Sequence, residues 1–479
     1  MGKYSGTTAN KFLNLTNERL GTYNTWDAYN TARLVAPLIQ ELKDNRQYEH
    51  YLSHVEPLQG AVIAMQARGM LLNYDAKASY RQKLSAELRD VDRVIGEAYS
   101  LYTNSPPSTF NPNSNPQIAK LLFSPLGSGG CGLLGSKSTK TGQSVDQEAL
   151  TGILRKLRKK DAHAVPLLHA LFHRSRLQTI LSRYLTFSAD DDGMVRARVQ
   201  MAKAKTFRLA YKDPPLQQWP PEVRHILEAR PGHKFIGRDY SQLEARLMAY
   251  LANDTPSIEV FESGGDVHRA NAQDLFGHSN ITEGERDYSK GHLYKICYGG
   301  RGSEKEKTAC PCIQWGCAEK LPAVVDLKRA TKLDMERRWF IIHNAVNVFQ
   351  RDLIEGVRSK HYYDHPLGGR RYFTAPWSSE LEREVLNQPL QYGGATLMAR
   401  AQISLHEEGA PIVLQMHDEF IFEVRDEDVE QLSLRSKEIM ERPIPELGGI
   451  SIPTDLEVGS NWGKWHKTLN PDGMRETTL

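Results

Sequence analysis

The sequence predicts an α+β fold in which helices dominate. Long stretches place apolar residues at helical spacing, as in TARLVAPLIQELK and across residues 58–102. Two shorter stretches, KFIGRDY and PIVLQMHDEFIFEV, contain instead the short apolar runs of strands, each next to a turn with acidic residues. Because both patterns occur in one chain, the sequence indicates a sheet covered by helices rather than an all-helical or all-β protein.

Length and composition limit the class of protein. The chain has 479 residues, enough for two to four domains or subdomains, and its 40% hydrophobic and 25% charged residues are ordinary for a soluble globular protein. No run of 18 apolar residues occurs and the N-terminus lacks a signal pattern, so we expect no membrane partner. Five cysteines, an odd number, fit a reducing compartment, and we expect a cytoplasmic protein, in a host cytoplasm if the source is viral.

The net charge of +3 is too small to indicate a nucleic-acid partner, but its local distribution is more informative. Three basic runs, at 154–161, 173–183 and 203–208, follow one another closely. Each one alone is compatible with a solvated helix face. Together they favour a surface that faces phosphates.

The remaining elements follow from periodicity and from turn residues. Residues 11–50 have a helical pattern, and residues 58–102 predict a helix, a break at a glycine and a longer helix. Further along we expect a linker at 103–116, a Gly/Ser-rich loop at 124–144, a helical stretch at 145–187, mostly helix at 282–360 around a Cys-rich loop, and a helix after residue 424.

Two predicted turns carry carboxylates. Asp239 ends the strand KFIGRDY before a helix, and Asp418 and Glu419 lie at the tip of a predicted hairpin. Two Asp residues from separate strands can bridge two Mg²⁺ ions, which would activate a hydroxyl and stabilise a leaving pyrophosphate. The alternative is ordinary structure, with an Asp that caps a helix and an acidic hairpin tip.

A third pattern lies on a predicted helix. Arg286, Lys290, Tyr294 and Tyr298 are spaced by four residues, which keeps them on one slowly drifting face. Two cations followed by two aromatic rings suit a nucleoside triphosphate. The alternative is an amphipathic helix with a basic end whose side chains extend to solvent.

Taken together, these stretches resemble the polymerase module of family A DNA polymerases, the bacterial DNA polymerase I type, from about residue 55 to residue 466. DYSQLEAR resembles the first palm motif, MHDEF the second, and RDYSKGHLYKICYG the fingers helix. The resemblance implies a right-hand fold with an antiparallel palm sheet, helical fingers and a helical thumb. It also implies that Asp239 and Asp418, with the backbone carbonyl of Tyr240, are metal ligands.

Shorter segments match the family in the same order: TFRLAYKDPPLQQWP, GGDVH, REVLNQPLQ, FNPNSNPQIAKLLF and TGQSVDQEAL. The first of these is similar to the family's TGRLSSSDPNLQNIP. The nucleotide contacts implied by the resemblance are Arg286, Lys290, Tyr294, His268, Gln242 and Glu244, of which Glu244 would crowd a sugar 2′-hydroxyl. The DNA contacts that it implies are Arg208, Gln217, Tyr298, Arg383, Asn387, Gln391, His417 and Glu419.

The implied activity is template-directed addition of deoxynucleotides to a primer 3′-hydroxyl, with two Mg²⁺ ions (or Mn²⁺), dNTP substrates and primer-template DNA. Lys290 would be catalytic by protonating the leaving pyrophosphate. We expect a monomer whose compact form is compatible with a viral replication enzyme. The expected subdomains are palm at 51–76, 188–245 and 385–479, thumb at 77–187, and fingers at 246–384.

Residues 1–50 resemble a remnant of the family's 3′–5′ exonuclease domain, because Tyr23 and Asp27 fit its Tyr-x-x-x-Asp motif. No Asp-x-Glu motif precedes them, and one carboxylate cannot hold the metals of such a site. We therefore expect no proofreading by this chain alone. A separate exonuclease subunit or other replication proteins are the partners that this arrangement suggests.

The segment TACPCIQWGCAEKLP contains Cys310, Cys312 and Cys317 within the predicted fingers. Three thiolates can bind Zn²⁺ with a fourth ligand, for which His343 is a candidate. The spacing is not a standard zinc pattern, so free thiols are the main alternative.

Two rival functions are a single-subunit RNA polymerase and a non-catalytic DNA-binding or scaffold protein. Glu244 argues against the first rival, and the complete set of acidic and basic residues argues against the second. Three departures from the family pattern concern fidelity and fingers closure: Asp287, Lys295 and the segment QYGGATLM.

Overall fold

The strand predicted before the first acidic turn is a central strand of a nine-stranded sheet. The structure, a computed structural model, describes residues 16–139, 142–157, 159–300 and 329–478. Its strands are β1 (Met70–Leu72), β2 (Ser138–Thr139), β3 (Gly142–Gln143), β4 (Met194–Val195), β5 (Arg198–Gln200), β6 (Ala210–Lys212), β7 (Leu227–Glu228), β8 (His233–Tyr240), β9 (Tyr362–Asp364), β10 (Arg370–Tyr372), β11 (Ile412–Met416), β12 (Glu419–Arg425), β13 (Thr454–Gly459), β14 (Asn461–Lys464) and β15 (Gly473–Glu476).

Helices surround this sheet, which confirms the α+β class. They are α1 (Asn17–Asp44), α2 (Tyr48–His50), α3 (Glu56–Arg68), α4 (Tyr74–Thr103), α5 (Asn115–Phe123), α6 (Gln147–Lys156), α7 (Val165–Thr179), α8 (Leu243–Ala252), α9 (Thr255–Glu262), α10 (Val267–Phe276), α11 (Glu283–Cys297), α12 (Arg329–Ile342), α13 (Asn344–Lys360), α14 (Ser379–Glu407) and α15 (Val429–Met440). Within the described ranges, no helix has the length and apolar character that crossing a membrane would need.

The order of the sheet is β11-β12-β8-β13-β15-β14-β7-β1-β4. Strand β8 pairs antiparallel with β12 on one side and with β13 on the other, and both ladders end near Asp239. The sequence predicted the β11–β12 hairpin and its turn at His417-Asp418, and the structure confirms both. One pair differs from the expected antiparallel sheet, because β14 and β15 run parallel.

Strand β8 forms because Phe235 and Ile236 are apolar and fully buried at the centre of the sheet. Its Gly237 leaves room for a neighbour, since a Cβ there would lie 2.9 Å from Oε1 of Glu419. The chain leaves the strand through Gln242, whose φ of 54° is left-handed, and then enters α8. The left-handed residue turns the chain sharply, so α8 begins beside the end of the strand that carries Asp239.

Helix α14 is a long helix that packs against the elements of the site. Most of its central residues are buried, and it packs against α3 and α8. Its internal Pro389 is tolerated in this packing, and the Pro389 carbonyl accepts a hydrogen bond from Nε2 of buried His365 at 2.8 Å. The helix thereby connects the site to the hairpin of β9 and β10.

Helices α4 to α7 build a second apolar core, which includes Ile95, Leu122 and Leu168 and lies within the predicted thumb. The basic run at 173–183 was predicted to face phosphates, and here the structure corrects the prediction for Arg174. Its side chain is 5% exposed and donates to Asp92 at 2.5 Å and to Asn113 at 2.9 Å. Arg174 therefore stabilises the thumb, and its charge is already matched by a carboxylate.

A buried polar cluster joins the helices of the predicted fingers. His343, between α12 and α13, contacts Asp254 through Nδ1 at 2.7 Å and Asp274 through Nε2 at 3.2 Å. Trp339 stacks on the imidazole at 4.2 Å and donates to Asn271. His343 thus bonds two carboxylates of the fingers, and this arrangement offers no support for the zinc-ligand role considered for it. Cys310, Cys312 and Cys317 lie outside the described residues.

His343 gives the stability of the fingers a predictable pH dependence. Burial alone would lower its pKa, but the hydrogen bonds that the imidazole donates to Asp254 and Asp274 raise it above 6.5. A raised pKa stabilises the folded state fully below the ordinary histidine pKa, and the contribution disappears as the pH rises through the folded-state value. We expect His343→Gln to destabilise the protein by about 3 kcal/mol at pH 6 and by clearly less at pH 9. Thermal melts of both proteins at the two pH values measure this, and an equal loss at both would contradict it.

Helix α1 differs from the other long helices because it buries no residue. Tyr23, Trp26 and Leu34 are 44%, 59% and 57% exposed. The segment after it is held more closely: His50 Nε2 lies 2.9 Å from the Tyr392 hydroxyl, and Arg400 contacts His54 at 3.0 Å. The chain therefore becomes part of the main fold from about residue 45 onward.

Candidate active site

The two predicted acidic turns meet at one end of the central sheet. Asp239 lies directly opposite Glu419 on β12, and the Tyr240 amide donates to the carbonyl of Asp418 at 3.1 Å. The adjacent positions of the two strands therefore bring the Asp239 and Asp418 side chains together, although 179 residues separate them in the sequence.

Burial and mutual repulsion define the electrostatics of this acidic pair. Part of Asp239 is open to solvent, yet the surrounding protein and the neighbouring Asp418, Asp455 and Glu457 raise its pKa to about 7. Burial likewise raises the pKa of Asp418 to about 6, against the opposing effect of Arg208 at 3.8 Å. Carboxylates that repel each other in this way are stabilised by a cation placed between them.

A strand that sequence reasoning passed over adds to this acidic face. Asp455 on β13 lies opposite Asp239, and Glu457 lies opposite Gly237, so both share the sheet face of Asp239 and Glu419. Burial, then Asp239 and Glu457, raise the pKa of Glu419 to about 8. The alternation of acids and apolar residues in TDLEV was the signal that could have identified them.

Glu244, the first-turn residue of α8, lies between two donors. Arg208 donates to its Oε1 at 2.5 Å, and the Tyr298 hydroxyl donates to its Oε2. The side chain of Gln391 of α14 lies close to the Tyr298 hydroxyl. The structure thus brings together four predicted contacts from four different segments, and the position of the Glu244 carboxylate is determined by two partners.

Helix α11 presents the predicted triphosphate face. Arg286 Nε donates to Asp266 at 2.6 Å, while Lys290 is exposed and forms no ion pair within the described residues. Asp266, which also caps α10, is the partner that sequence reasoning missed, although it lies in the quoted motif GGDVH. The ring of Tyr294 lies 6.1 Å from that of His268. Helix α11 ends at Cys297, so Tyr298 is its C-cap residue.

Four of the predicted contacts carry a buried polar atom without a partner in the described part of the chain. These atoms are Nε of Arg208, Oε1 of Gln242, Nδ1 of His268 and Oδ1 of Asn387. His268 is 3% exposed, and burial followed by the Lys290 charge lowers its pKa to about 4, so its ring is neutral at pH 7. Because an unpaired buried polar atom is costly, such atoms suit a site that a polar ligand completes.

The other predicted DNA contacts lie around the same cleft. His417 has a left-handed φ of 55°, and Gln217 donates to the Leu209 carbonyl at 2.6 Å. Arg383 is exposed, without an ion pair in the described ranges, and precedes Asn387 and Gln391 at four-residue spacing on α14. That spacing places all three on one helix face.

Two of the three departures from the family pattern have contacts in the structure that explain them. Lys295 lies 3.6 Å from Glu336 of α12, and Tyr392, in QYGGATLM, contacts His50 and lies beside Phe207. A Cβ at Gly369 would lie 1.8 Å from the Tyr392 hydroxyl, so the glycine makes space for this ring. Asp287 is exposed on α11, and nothing in the structure explains it.

Comparison with known proteins identifies the family. The model of DNA polymerase family A matches residues 76–464. The chain belongs to DNA polymerase family A. It is 27% identical to the thermostable DNA polymerase I of Thermus thermophilus, over 92% of this chain and 52% of that protein. It is 28% identical to DNA polymerase I of Geobacillus stearothermophilus, over 90% and 48%. The chain therefore spans about half the length of these curated relatives.

A solved structure supports the fold of this family A chain. The POL domain of Pol1 from M. smegmatis, in complex with DNA primer-template and dNTP, aligns with a TM-score of 0.71 and 24% identity. The alignment covers 91% of this chain and 74% of that one. This similarity confirms the predicted right-hand polymerase fold; the exact subdomain boundaries stay predictions.

Proposed function

We propose that this chain is a template-directed DNA polymerase that adds deoxynucleotides to a primer 3′-hydroxyl and releases pyrophosphate. The observation that carries the proposal is the meeting of Asp239 and Asp418 at the sheet end, joined to α11 through Glu244 and Tyr298. Family membership supports it, as does the primer-template and dNTP complex of its structural neighbour. Primer extension by the purified chain with Mg²⁺ tests the proposal.

The donor set suits hard divalent cations, which prefer oxygen ligands. Asp239 and Asp418 would hold them, with the Tyr240 carbonyl. Burial raises the pKa of both carboxyl groups, and the neighbouring Asp418 adds to the rise for Asp239, which supports this assignment. No group of three or more His, Cys, Asp or Glu side chains in the described ranges forms a metal cluster, so water and substrate oxygens would complete the coordination. When bound, two such ions lower the pKa of a primer hydroxyl and neutralise charge on the phosphates.

The remaining chemistry belongs to side chains of the chain itself. Arg286, Lys290 and neutral His268 would orient the triphosphate, with His268 using the nitrogen that lacks a partner. Lys290 would give a proton to the pyrophosphate oxygen as it leaves. Arg208 and the face of Arg383, Asn387 and Gln391 would contact primer and template without reading sequence.

The main rival is a single-subunit RNA polymerase, and Glu244 separates the two. A carboxylate held by Arg208 and Tyr298 stays close to the sugar and excludes a 2′-hydroxyl. We expect Glu244→Ala to raise rNTP incorporation by roughly 10- to 100-fold, an effect of about 1.4 to 2.7 kcal/mol. Single-nucleotide kinetics with dNTP and rNTP measure this, with Glu259→Ala on α9 as control. Wild type that prefers rNTPs would favour the RNA polymerase.

The second rival, a scaffold that binds DNA without chemistry, is not favoured by any observation. A scaffold does not require Asp239, Asp418 and Lys290 together, and two neighbouring carboxylates weaken phosphate binding unless a cation is present.

We infer that this chain does not proofread by itself. Helix α1 carries Tyr23 and Asp27 in its N-terminal half, while its other acids, Glu18, Glu41 and Asp44, lie at its two ends. A two-metal exonuclease site requires several carboxylates in one place. Incubating the chain with Mg²⁺ and a mismatched primer should shorten no 3′ end. Shortening that disappears in Asp27→Ala would contradict this inference.

The exposed surface of α1 supports a partner that supplies this function, a separate exonuclease subunit. Tyr23 and Asp27 are both exposed on a helix that buries no residue. If a candidate subunit removes mismatches in the presence of this chain, Asp27→Ala in the chain should reduce that removal. If the subunit removes mismatches equally well without the chain, the partnership is contradicted.

A further inference from the structure

The turn that carries Asp418 is short and strained. Met416 pairs with Glu419, so His417 and Asp418 alone connect β11 to β12. His417 has a φ of 55°, a left-handed conformation that costs a residue other than glycine of order 1 kcal/mol. Such a conformation persists only where neighbouring groups hold it.

Two side chains outside the predicted site hold this turn. Gln415 donates from Nε2 to the His417 carbonyl at 2.8 Å. The Tyr211 hydroxyl on β6 donates to the backbone carbonyl of Gln415 at 2.6 Å and accepts from the backbone N–H of Gln415 at 3.2 Å. Both side chains are buried, with exposures of 9% for Tyr211 and 6% for Gln415.

The position of β11 explains why a side chain, and not a neighbouring strand, forms hydrogen bonds with the backbone of Gln415. Strand β11 lies at the edge of the sheet, so its outer amide and carbonyl groups have no strand partner. The Tyr211 hydroxyl satisfies both groups of Gln415 in place of a missing strand. On the same edge Arg68 donates to the Ile412 carbonyl at 3.3 Å.

The turn is incompletely packed on one side. A cavity of about 30 Å³ beside it is lined by residues that include Arg208, Leu209, Gln217, Met398, Gln415 and His417. On this side the turn has few packing contacts, so its hydrogen bonds contribute more to holding its conformation.

We propose that Tyr211 and Gln415 are positioning residues, which hold the His417–Asp418 turn and thereby aim the Asp418 carboxylate. The proposal rests on the proposed function for its kinetic consequence, but its structural consequence is independent of activity. Neither residue is among the predicted substrate contacts, and both act through the backbone of the turn.

Tyr211→Phe removes only the hydroxyl, and Gln415→Met replaces the side-chain amide, and with it the donor to the His417 carbonyl, by a thioether of similar size. Both variants should speed amide exchange of residues 416–419 at least about 10-fold in the free, full-length protein. Both should lower kcat roughly 10- to 100-fold and raise the half-saturating Mg²⁺ concentration, because small displacements of catalytic groups have effects of this size. The KM for dNTP should change less than about 2-fold, since α11 is untouched.

Tyr102→Phe is the matched control, because this hydroxyl also donates to a carbonyl, that of His163, but in the thumb. Unchanged exchange at 416–419 and a kcat within about 2-fold of wild type would overturn the proposal. The proposal would also be overturned if the site variants and Tyr102→Phe changed the melting temperature, KM and kcat by equal amounts. If wild type extends no primer, the proposed function fails, and amide exchange alone decides this inference. If Tyr211→Phe does not fold, Gln415→Met provides the same readouts.

Discussion

We expect Asp239→Asn and Asp418→Asn each to lower the rate of primer extension at least about 1,000-fold. Each substitution keeps the shape of the side chain and removes a charge that the proposed mechanism needs. Bound cations contribute several kcal/mol to such a transition state, and each 1.36 kcal/mol corresponds to about tenfold in rate. Single-turnover extension of a labelled primer at saturating dNTP measures the loss.

The same variants should bind primer-template DNA at least as tightly as wild type, because removing a negative charge reduces repulsion of the phosphates. Asp352→Asn, an exposed acid on α13, is the matched control and should extend primers at the wild-type rate. Extension within about 10-fold of wild type by either site variant would show that the acidic pair is assigned wrongly.

Lys290→Ala is expected to lower kcat about 100-fold, the scale of general acid catalysis. The side chain is exposed on α11, without an ion pair in the part of the chain that the structure describes, and is therefore available to the leaving pyrophosphate. Lys290→Arg should recover part of the loss, because it restores the charge but donates a proton poorly. Pre-steady-state kinetics separate kcat from the KM for dNTP.

Arg286 gives the contrast to Lys290. Its guanidinium is held by Asp266, so Arg286→Ala should mainly raise the KM for dNTP and affect kcat less. Lys360→Ala, at the end of α13, is a distant control. If Lys290→Ala changed only KM, Lys290 would be a binding residue and its assignment as a proton donor would be wrong.

The sequence predicted the fold best where one pattern spans a whole element. The apolar stretch before Asp239 and the hairpin around His417-Asp418 are buried strands, and the structure has them where they were predicted. The four-residue spacing of Arg286, Lys290 and Tyr294 likewise lies on one helix. These patterns are local, so the sequence alone predicts burial on both sides of a strand or on one side of a helix.

Contacts between segments that are distant in the sequence could not be predicted in this way. The buried ion pair of Arg174 with Asp92 joins α7 to α4, and a basic run indicates charge but not its partner. The short strands β1, β4 and β7 have only two or three residues each and no periodicity to detect. Tyr211 carries no sequence signal either, because its function depends on the free edge of β11, which only the folded sheet creates.

The most direct test of the central claim is a matrix of single-nucleotide incorporations. Four primer-templates differ only in the next template base, and each is given each dNTP with Mg²⁺, with Asp418→Asn as the inactive control. We predict that wild type adds the complementary nucleotide in each case, at least about 100-fold faster than the other three. Incorporation that ignores the template base, or none by wild type under conditions in which it binds the primer-template, would contradict the assignment of this chain as a template-directed DNA polymerase.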